Sequence, residues 1–205
     1  MMLSCCSSVK NQSPTGSGKL DNQLLKDVEV LSSDAYEGRK TGTKGAEMAR
    51  AYIINRFQKL GLKSYPQYVN YAQEFTFNSR GGAKVNGTNV IGYIPGKSTN
   101  VIVVSAHYDH LGVVKEQVFN GADDNASGTA GLLKIAAYFA KNKPNNTIIF
   151  ASFDAEEMGL QGAKAFVANP PVNINTIAVN LNMDMISHSD KGELYVAGTF
   201  KYPEL

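Results

Sequence analysis

Residues 101–110 read VIVVSAHYDH. Four β-branched residues in a row, then two small ones, describe a short strand buried on both faces. A half-exposed strand would alternate apolar and polar positions. The run then breaks into His107, Tyr108, Asp109 and His110. The same grammar recurs twice. TIIFASFDAEE (147–157) runs from a buried strand into Asp154, Glu156 and Glu157, and TIAVNLNMDM (176–185) runs into Asp184. Between the first two lies GTAGLLKIAAYFAK (128–141), with helical spacing and mostly apolar content. Strands alternating with helices predict an α/β fold with a largely parallel centre. In such sheets ligands bind at the carboxyl ends of the strands. The acids and histidines therefore gather on one rim.

Working outward, the spacing of Leu24, Leu25, Val28 and Leu31 predicts a first helix. A second follows over about 44–60, with Ala49, Ile53, Phe57 and Leu60 on one face and Gly61 at its C-terminal end. Between them, SSDAYEGRKTGTKG (32–45) reads as a polar loop. YVNYAQEFTF (68–77) and NVIGYI (89–94) read as strands joined by a turn. Residues 160–168 read as a helix stopped by Asn169-Pro170-Pro171, and GELYVAGT (192–199) reads as a fourth strand after the three buried ones.

Composition narrows the functional classes. The chain has 205 residues, 43% hydrophobic and 19% charged, with a net charge of +2. That is enough for one sizeable core and short for two domains. Lys and Arg are scattered, and no basic run interleaves with aromatics, so nothing points to nucleic acid. No apolar stretch approaches the roughly 20 residues of a membrane span.

The only cysteines, Cys5 and Cys6, are neighbours and cannot build a disulfide framework or a thiolate zinc site. The LSC stretch resembles the end of a bacterial lipoprotein signal, with Cys5 as the lipidated residue, although the charged and apolar regions of such a signal are missing. The polar SSVKNQSPTGSGK that follows suits a tether. Residues 1–19 are thus expected to be a disordered linker, either the remnant of a lipid anchor or a terminus of no consequence. Residues 20–205 form the folded unit. The anchor reading implies an extracytoplasmic location, periplasmic or at a membrane surface.

GADDNASG (121–128) lies between the first buried strand and its helix, so Asp123 and Asp124 join the same rim. Carboxylates crowded in one crevice raise each other's pKa, and a divalent cation removes that penalty. One imidazole among several carboxylates suits zinc or a similar ion better than calcium. From the residues alone the reading stops at a metal site.

Four blocks in order, SAHYDHLG, GADDNASG, FDAEEMGLQGA and NLNMDM, resemble the co-catalytic zinc aminopeptidases of the bacterial leucyl aminopeptidase type, whose relatives include glutamate carboxypeptidase and glutaminyl cyclase. LSSDAYEGRKTGTKGAEMARAYI is similar to that family's N-terminal helix-loop-helix. The resemblance implies a three-layer α/β/α sandwich with a mixed, centrally parallel sheet. It implies two zinc ions: His107 and Asp184 on one, Glu157 on the other, and Asp124 bridging both. It makes Glu156 the general base and Asp109 the acid that accepts the N–H of His107. It also implies a non-proline cis peptide at Asp124-Asn125. Asp123 is left with capping or loop hydrogen bonding, His110 with a local hydrogen bond, and Asp154 with a structural role.

The activity implied is removal of N-terminal residues from peptides. Carboxypeptidase, dipeptidase and glutaminyl cyclase activities, and a non-catalytic binding role, are the alternatives. The family pattern needs one further histidine, several tens of residues beyond NLNMDM. His188 is too close and follows the wrong block. On this reading the chain is incomplete at its C-terminus and lacks the family's last helix and strand.

Overall fold

A computed structural model describes residues 22–198. The linker expected over 1–19, with Cys5, lies outside the described residues. Helix α1 (Asn22–Leu31) and helix α2 (Lys44–Leu60) come first. Strands β1 (Ala72–Asn78), β2 (Lys84–Ile94) and β3 (Ser98–His107) follow, then the short hairpin β4 (Gly112–Val114) and β5 (Gln117–Phe119). Helix α3 (Gly128–Lys141), β6 (Asn146–Phe153), helix α4 (Gln161–Ala168) and β7 (Ile177–Asn182) complete the order.

The five long strands form one sheet in the order β1-β2-β6-β3-β7. β1 and β2 pair antiparallel, as do β2 and β6, whereas β3 runs parallel to both β6 and β7. The three chemistry-bearing strands are thus the parallel ones. Their carboxyl ends share one rim, as the sequence implies.

Strand alternation sorts the core into two layers. Val90, Ile94, Val104, Ala106, Ile148 and Phe150 face Leu31, Ile53, Phe57, Leu132, Leu133 and Ala136 from α1, α2 and α3. Their alternates Ile91, Val101, Val103, Ile149, Ala151 and Phe153 face Phe166 of α4. The protein is a three-layer α/β/α sandwich around a mixed sheet. Gly61 ends α2 in the left-handed conformation, at φ 73°, and its N–H bonds the last turn.

Two expectations fail. β7 reads as a buried strand but lies at the sheet edge, and Leu181 is 55% exposed. The apolar composition of a strand does not reveal whether both of its edges are paired. GELYVAGT reads as a fourth strand, yet its described part, 192–198, carries none and is exposed throughout, since no described strand pairs with it. Two strand boundaries also shift: β1 starts at Ala72 rather than Tyr68, and β2 starts at Lys84, inside the expected turn. Among the described residues no helix is long and apolar enough to cross a membrane.

Candidate metal centre

β3 delivers His107 to the rim, and the chain stays in register for one more residue, since Tyr108 N–H bonds Phe153 O at 2.9 Å. Tyr108 is fully buried, and its hydroxyl bonds Thr88 O. The chain then turns out through Asp109 and His110 into the β4–β5 hairpin. It re-enters at Gly121, and residues 122–127 form a wide helical turn leading into α3. The Asp124-Asn125 peptide within it is cis. After β6 the chain reverses at Ala155, a non-glycine residue at φ 56°. The Asp109 carboxylate accepts the amides of Glu156 at 2.9 Å and Glu157 at 3.3 Å, which fixes that reversal. The two adjacent glutamates leave it in different directions. Glu156 Oε2 stands 4.0 Å from His107 Nε2, and Glu157 Oε1 stands 2.7 Å from His110 Nδ1.

The expected zinc ligands converge. His107 Nε2 is 3.3 Å from Asp124 Oδ1 and 3.5 Å from Asp184 Oδ1. Tetrahedral zinc with ligand bonds near 2.0–2.1 Å separates its donors by roughly 3.3 Å, so this triad fits zinc with little movement. Asp124 Oδ2 faces the other way, 3.8 Å from His110 Nδ1, and His110, Asp124 and Glu157 form a second group of donors within 4.8 Å of one another. Asp124 therefore belongs to both groups, one carboxylate oxygen toward each. Any single acid here would suit a surface loop; two nitrogen-and-oxygen triads sharing one carboxylate could hold a metal ion each.

His107 is buried and its Nδ1 side is anchored. Nδ1 lies 3.1 Å from the main-chain carbonyl of Asp109 and 3.6 Å from its carboxylate. The sequence reading gives the anchoring to the carboxylate alone; the turn brings the carbonyl closer, while the carboxylate mainly holds the two glutamate amides. Burial disfavours the imidazolium, but Asp109, Asp184 and Glu156 together outweigh it and push the metal-free imidazole up to about 9. Burial, with the fields of Asp109, Glu157 and Asp184, raises the Glu156 carboxyl against the pull of His107. A carboxylate tuned upward is a better proton acceptor.

Asp123 stands apart from both triads. It accepts the amide and hydroxyl of Ser187 at 3.0 and 2.7 Å, tying the loop after β7 to the start of α3. Asp154 is buried and accepts Thr41 Oγ1, Thr88 N–H and Ala155 N–H, and burial followed by Asp109 raises its carboxyl. His188 is exposed, its Nε2 3.7 Å from Asp190 Oδ1, and it belongs to neither triad. A cavity of about 190 Å³ opens beside the first triad, lined by His107, Phe153, Glu156, Leu160, Asn180 and Asp184 among others. A larger hollow of about 580 Å³ lies between α2, β1 and α4 and contains none of these groups.

Three residues escape the sequence reading. His110 bonds across the sheet to Glu157 rather than locally. Asn125 bridges the two ligand segments, donating from Nδ2 to Met183 O at 3.0 Å and accepting Gly128 N–H and Met185 N–H at Oδ1. Arg39, in the loop read as merely polar, is 1% exposed. The second histidine of HYDH was a readable signal for the first; an Asn and an Arg carry none in one sequence.

The profile described as Peptidase family M28 matches residues 89–204. A probable zinc metalloprotease of Pyrenophora tritici-repentis is 29% identical over 185 residues, covering 83% of this chain and 41% of that protein. Among solved structures, a Zn-dependent exopeptidase from Parabacteroides distasonis superposes with a TM-score of 0.70 at 23% identity, covering 82% of this chain and 62% of that one. A glutaminyl cyclase from Porphyromonas gingivalis superposes with a TM-score of 0.68 at 22% identity, covering 80% and 60%. The chain spans about half the length, or less, of the curated relatives it matches.

Proposed function

The chain belongs to peptidase family M28, and from that premise we propose that it carries the catalytic centre of a zinc-dependent exopeptidase that releases N-terminal residues from peptides. The observation that carries this reading is Asp124, whose two oxygens face His107 and His110 while Asp184 and Glu157 flank them. His107, Asp124 and Asp184 would hold one zinc ion, and Asp124 with Glu157 a second. Zinc, when bound, polarises the scissile carbonyl and makes water acidic enough to give up a proton near neutral pH.

The remaining work falls to this chain's own groups. Glu156, beside His107 but outside both triads, takes the proton and returns it to the leaving amine. Asp109 holds the amides of Glu156 and Glu157, so the base and its metal-binding neighbour keep opposite directions. The Asp109 carbonyl fixes the ring of His107 so that Nε2 faces Asp124 and Asp184, where it would be a zinc ligand. The cavity beside Glu156 and Asp184 is the place for a substrate side chain. An extracytoplasmic location, with Cys5 lipidated, is the reading that the LSC stretch supports.

The test is zinc content together with a panel of aminoacyl and peptidyl substrates on the full-length protein, with Glu156→Gln as the control. Expected are bound zinc, release of N-terminal residues and loss of turnover in the variant. A protein without zinc overturns the assignment. Cyclisation of N-terminal glutamine without peptide release moves it to the glutaminyl cyclase reading.

A further inference from the structure

The loop 34–39 holds a side chain that the proposed chemistry does not use. Glu37, Gly38 and Arg39 are all left-handed, at φ 48°, 62° and 50°. The third turns its side chain into the protein. Arg39 is 1% exposed, and all four hydrogen bonds of its side chain go to main-chain carbonyls. Nε donates to Tyr108 O at 2.8 Å, Nη2 to Gly121 O at 2.9 Å, and Nη1 to Asn120 O at 2.7 Å and to Leu31 O.

The identity of those carbonyls matters. Tyr108 lies between His107 and Asp109. Asn120 and Gly121 immediately precede the segment that presents Asp124. One rigid, planar fork therefore spans the two turns whose spacing sets the His107–Asp124 and His110–Asp124 distances. Gly121 is itself held closely: a Cβ there would lie 2.7 Å from Cγ of His110, and its carbonyl also receives Ala126 N–H. The bond to Leu31 O fastens the same fork to the end of α1.

Charge points the same way. A guanidinium taken out of water is costly unless compensated, and no carboxylate is among its hydrogen-bond partners. The compensation comes from four carbonyl dipoles and from the fields of Asp109 and Asp124. Reciprocally, the cation sits behind the acids and eases their mutual repulsion. A residue needed only to stop a helix would not require a buried charge aimed at two ligand-bearing turns.

We propose that Arg39 is the positioning residue of the metal centre, fixing the separation of the His107 turn from the Asp124 turn, so that zinc affinity depends on its four-pronged contact. This rests on the zinc reading of the same site. Lysine keeps the charge but offers a point donor that cannot reach three segments at once.

The test uses the full-length protein with Arg39→Lys. Ile53→Val, on the buried face of α2, serves as a control for general destabilisation. Zinc affinity is read by chelator competition, and ligand geometry by the visible spectrum of the cobalt-substituted protein. Expected are a 10–100-fold loss of zinc affinity and an altered cobalt spectrum in Arg39→Lys, with neither change in Ile53→Val. Wild-type affinity and spectrum in Arg39→Lys overturn the proposal.

If Arg39→Lys does not fold, the coupling is read in the wild type. A contact that tightens zinc binding must be tightened by zinc. Zinc loading is then expected to slow solvent exchange of the Arg39 Nε–H, and an unchanged rate overturns the proposal. Wild-type protein that binds no zinc overturns the zinc reading instead, so the two failures are distinct.

Discussion

Gly128 closes the GADDNASG segment, and a single methyl there tests how the site is assembled. Its backbone is helical, at φ −63° and ψ −42°. By propensity alone Gly128→Ala stabilises by up to about 1 kcal/mol. The surroundings predict the opposite. An added Cβ would lie 2.4 Å from Asn125 Oδ1 and 2.4 Å from Met183 O, about 1 Å inside ordinary contact at 3.4 Å. Met183 O is backbone and cannot rotate away. Asn125 is fixed by its bonds to Met183 O, Gly128 N–H and Met185 N–H. The segment bearing Asp124 and the segment bearing Asp184 must therefore separate.

Overpacking of this kind costs about 1–3 kcal/mol, and each weakened buried hydrogen bond adds about 1 kcal/mol. Against the helical gain, the net expectation is a loss of about 2 kcal/mol. Zinc affinity should fall about tenfold or more, because Asp124 and Asp184 are the donors displaced. Urea unfolding of the zinc-free protein measures the first quantity, and chelator competition the second. Gly61→Ala is the matched control: nothing stands within 4 Å, but φ is 73°. It should lose about 1–2 kcal/mol of stability through backbone strain while keeping its zinc affinity. A Gly128→Ala protein as stable as wild type or more so, with unchanged zinc affinity, would refute the close packing of the two ligand segments at Gly128.

Other outcomes follow from the same geometry. Glu156→Gln should lower turnover by about 10²–10⁴ while zinc content stays at the wild-type level; retained turnover rejects the base. Glu157→Ala should reduce bound zinc from two ions per chain to one by elemental analysis, and a variant that keeps two removes Glu157 from the ligand set. Leu132→Ala, at a fully buried position of α3, should cost about 2–5 kcal/mol in urea unfolding; a loss under about 1 kcal/mol would mean the helix face is loosely packed. For Asp123, burial raises the carboxyl, but the bonds from Ser187 and Ser127 prevail and hold it below the model-compound value of 3.8. A depressed carboxyl stabilises the fold above its unfolded value, and that contribution is lost as pH falls through the lowered folded value. Asp123→Asn should flatten this acid limb of the stability curve; a variant with the wild-type acid limb refutes the role.

The sheet was legible because its central strands are written as unbroken apolar runs, and only strands covered on both faces afford that. The rim was legible for the same reason: each run stops abruptly at charge. What the residues could not state was pairing. Leu181 and Val179 look as buried as Val103 and Val104, but β7 has a described neighbour on one side only. Leu194, Tyr195 and Val196 have strand composition and no described partner. The ligand candidates followed from spacing and resemblance, whereas their supports did not. Asn125 acts on a residue 58 positions away, and Arg39 on carbonyls up to 82 positions away. Carbonyl acceptors have no side-chain identity, so nothing in the sequence advertises the donor that serves them.

The parallel pairing of β3, β6 and β7 also bears on kinetics. His107, Asp124, Glu157 and Asp184 meet only after non-local strands have docked, each across a crossover connection, and such contacts form late in folding. Zinc ions held between them would bind the finished protein and find little of their sites in the folding transition state. Zinc should therefore leave the refolding rate nearly untouched and act on unfolding, lengthening the lifetime of the native state. The metal would serve as a latch on a fold already built, and its removal would be felt first as a shorter-lived protein.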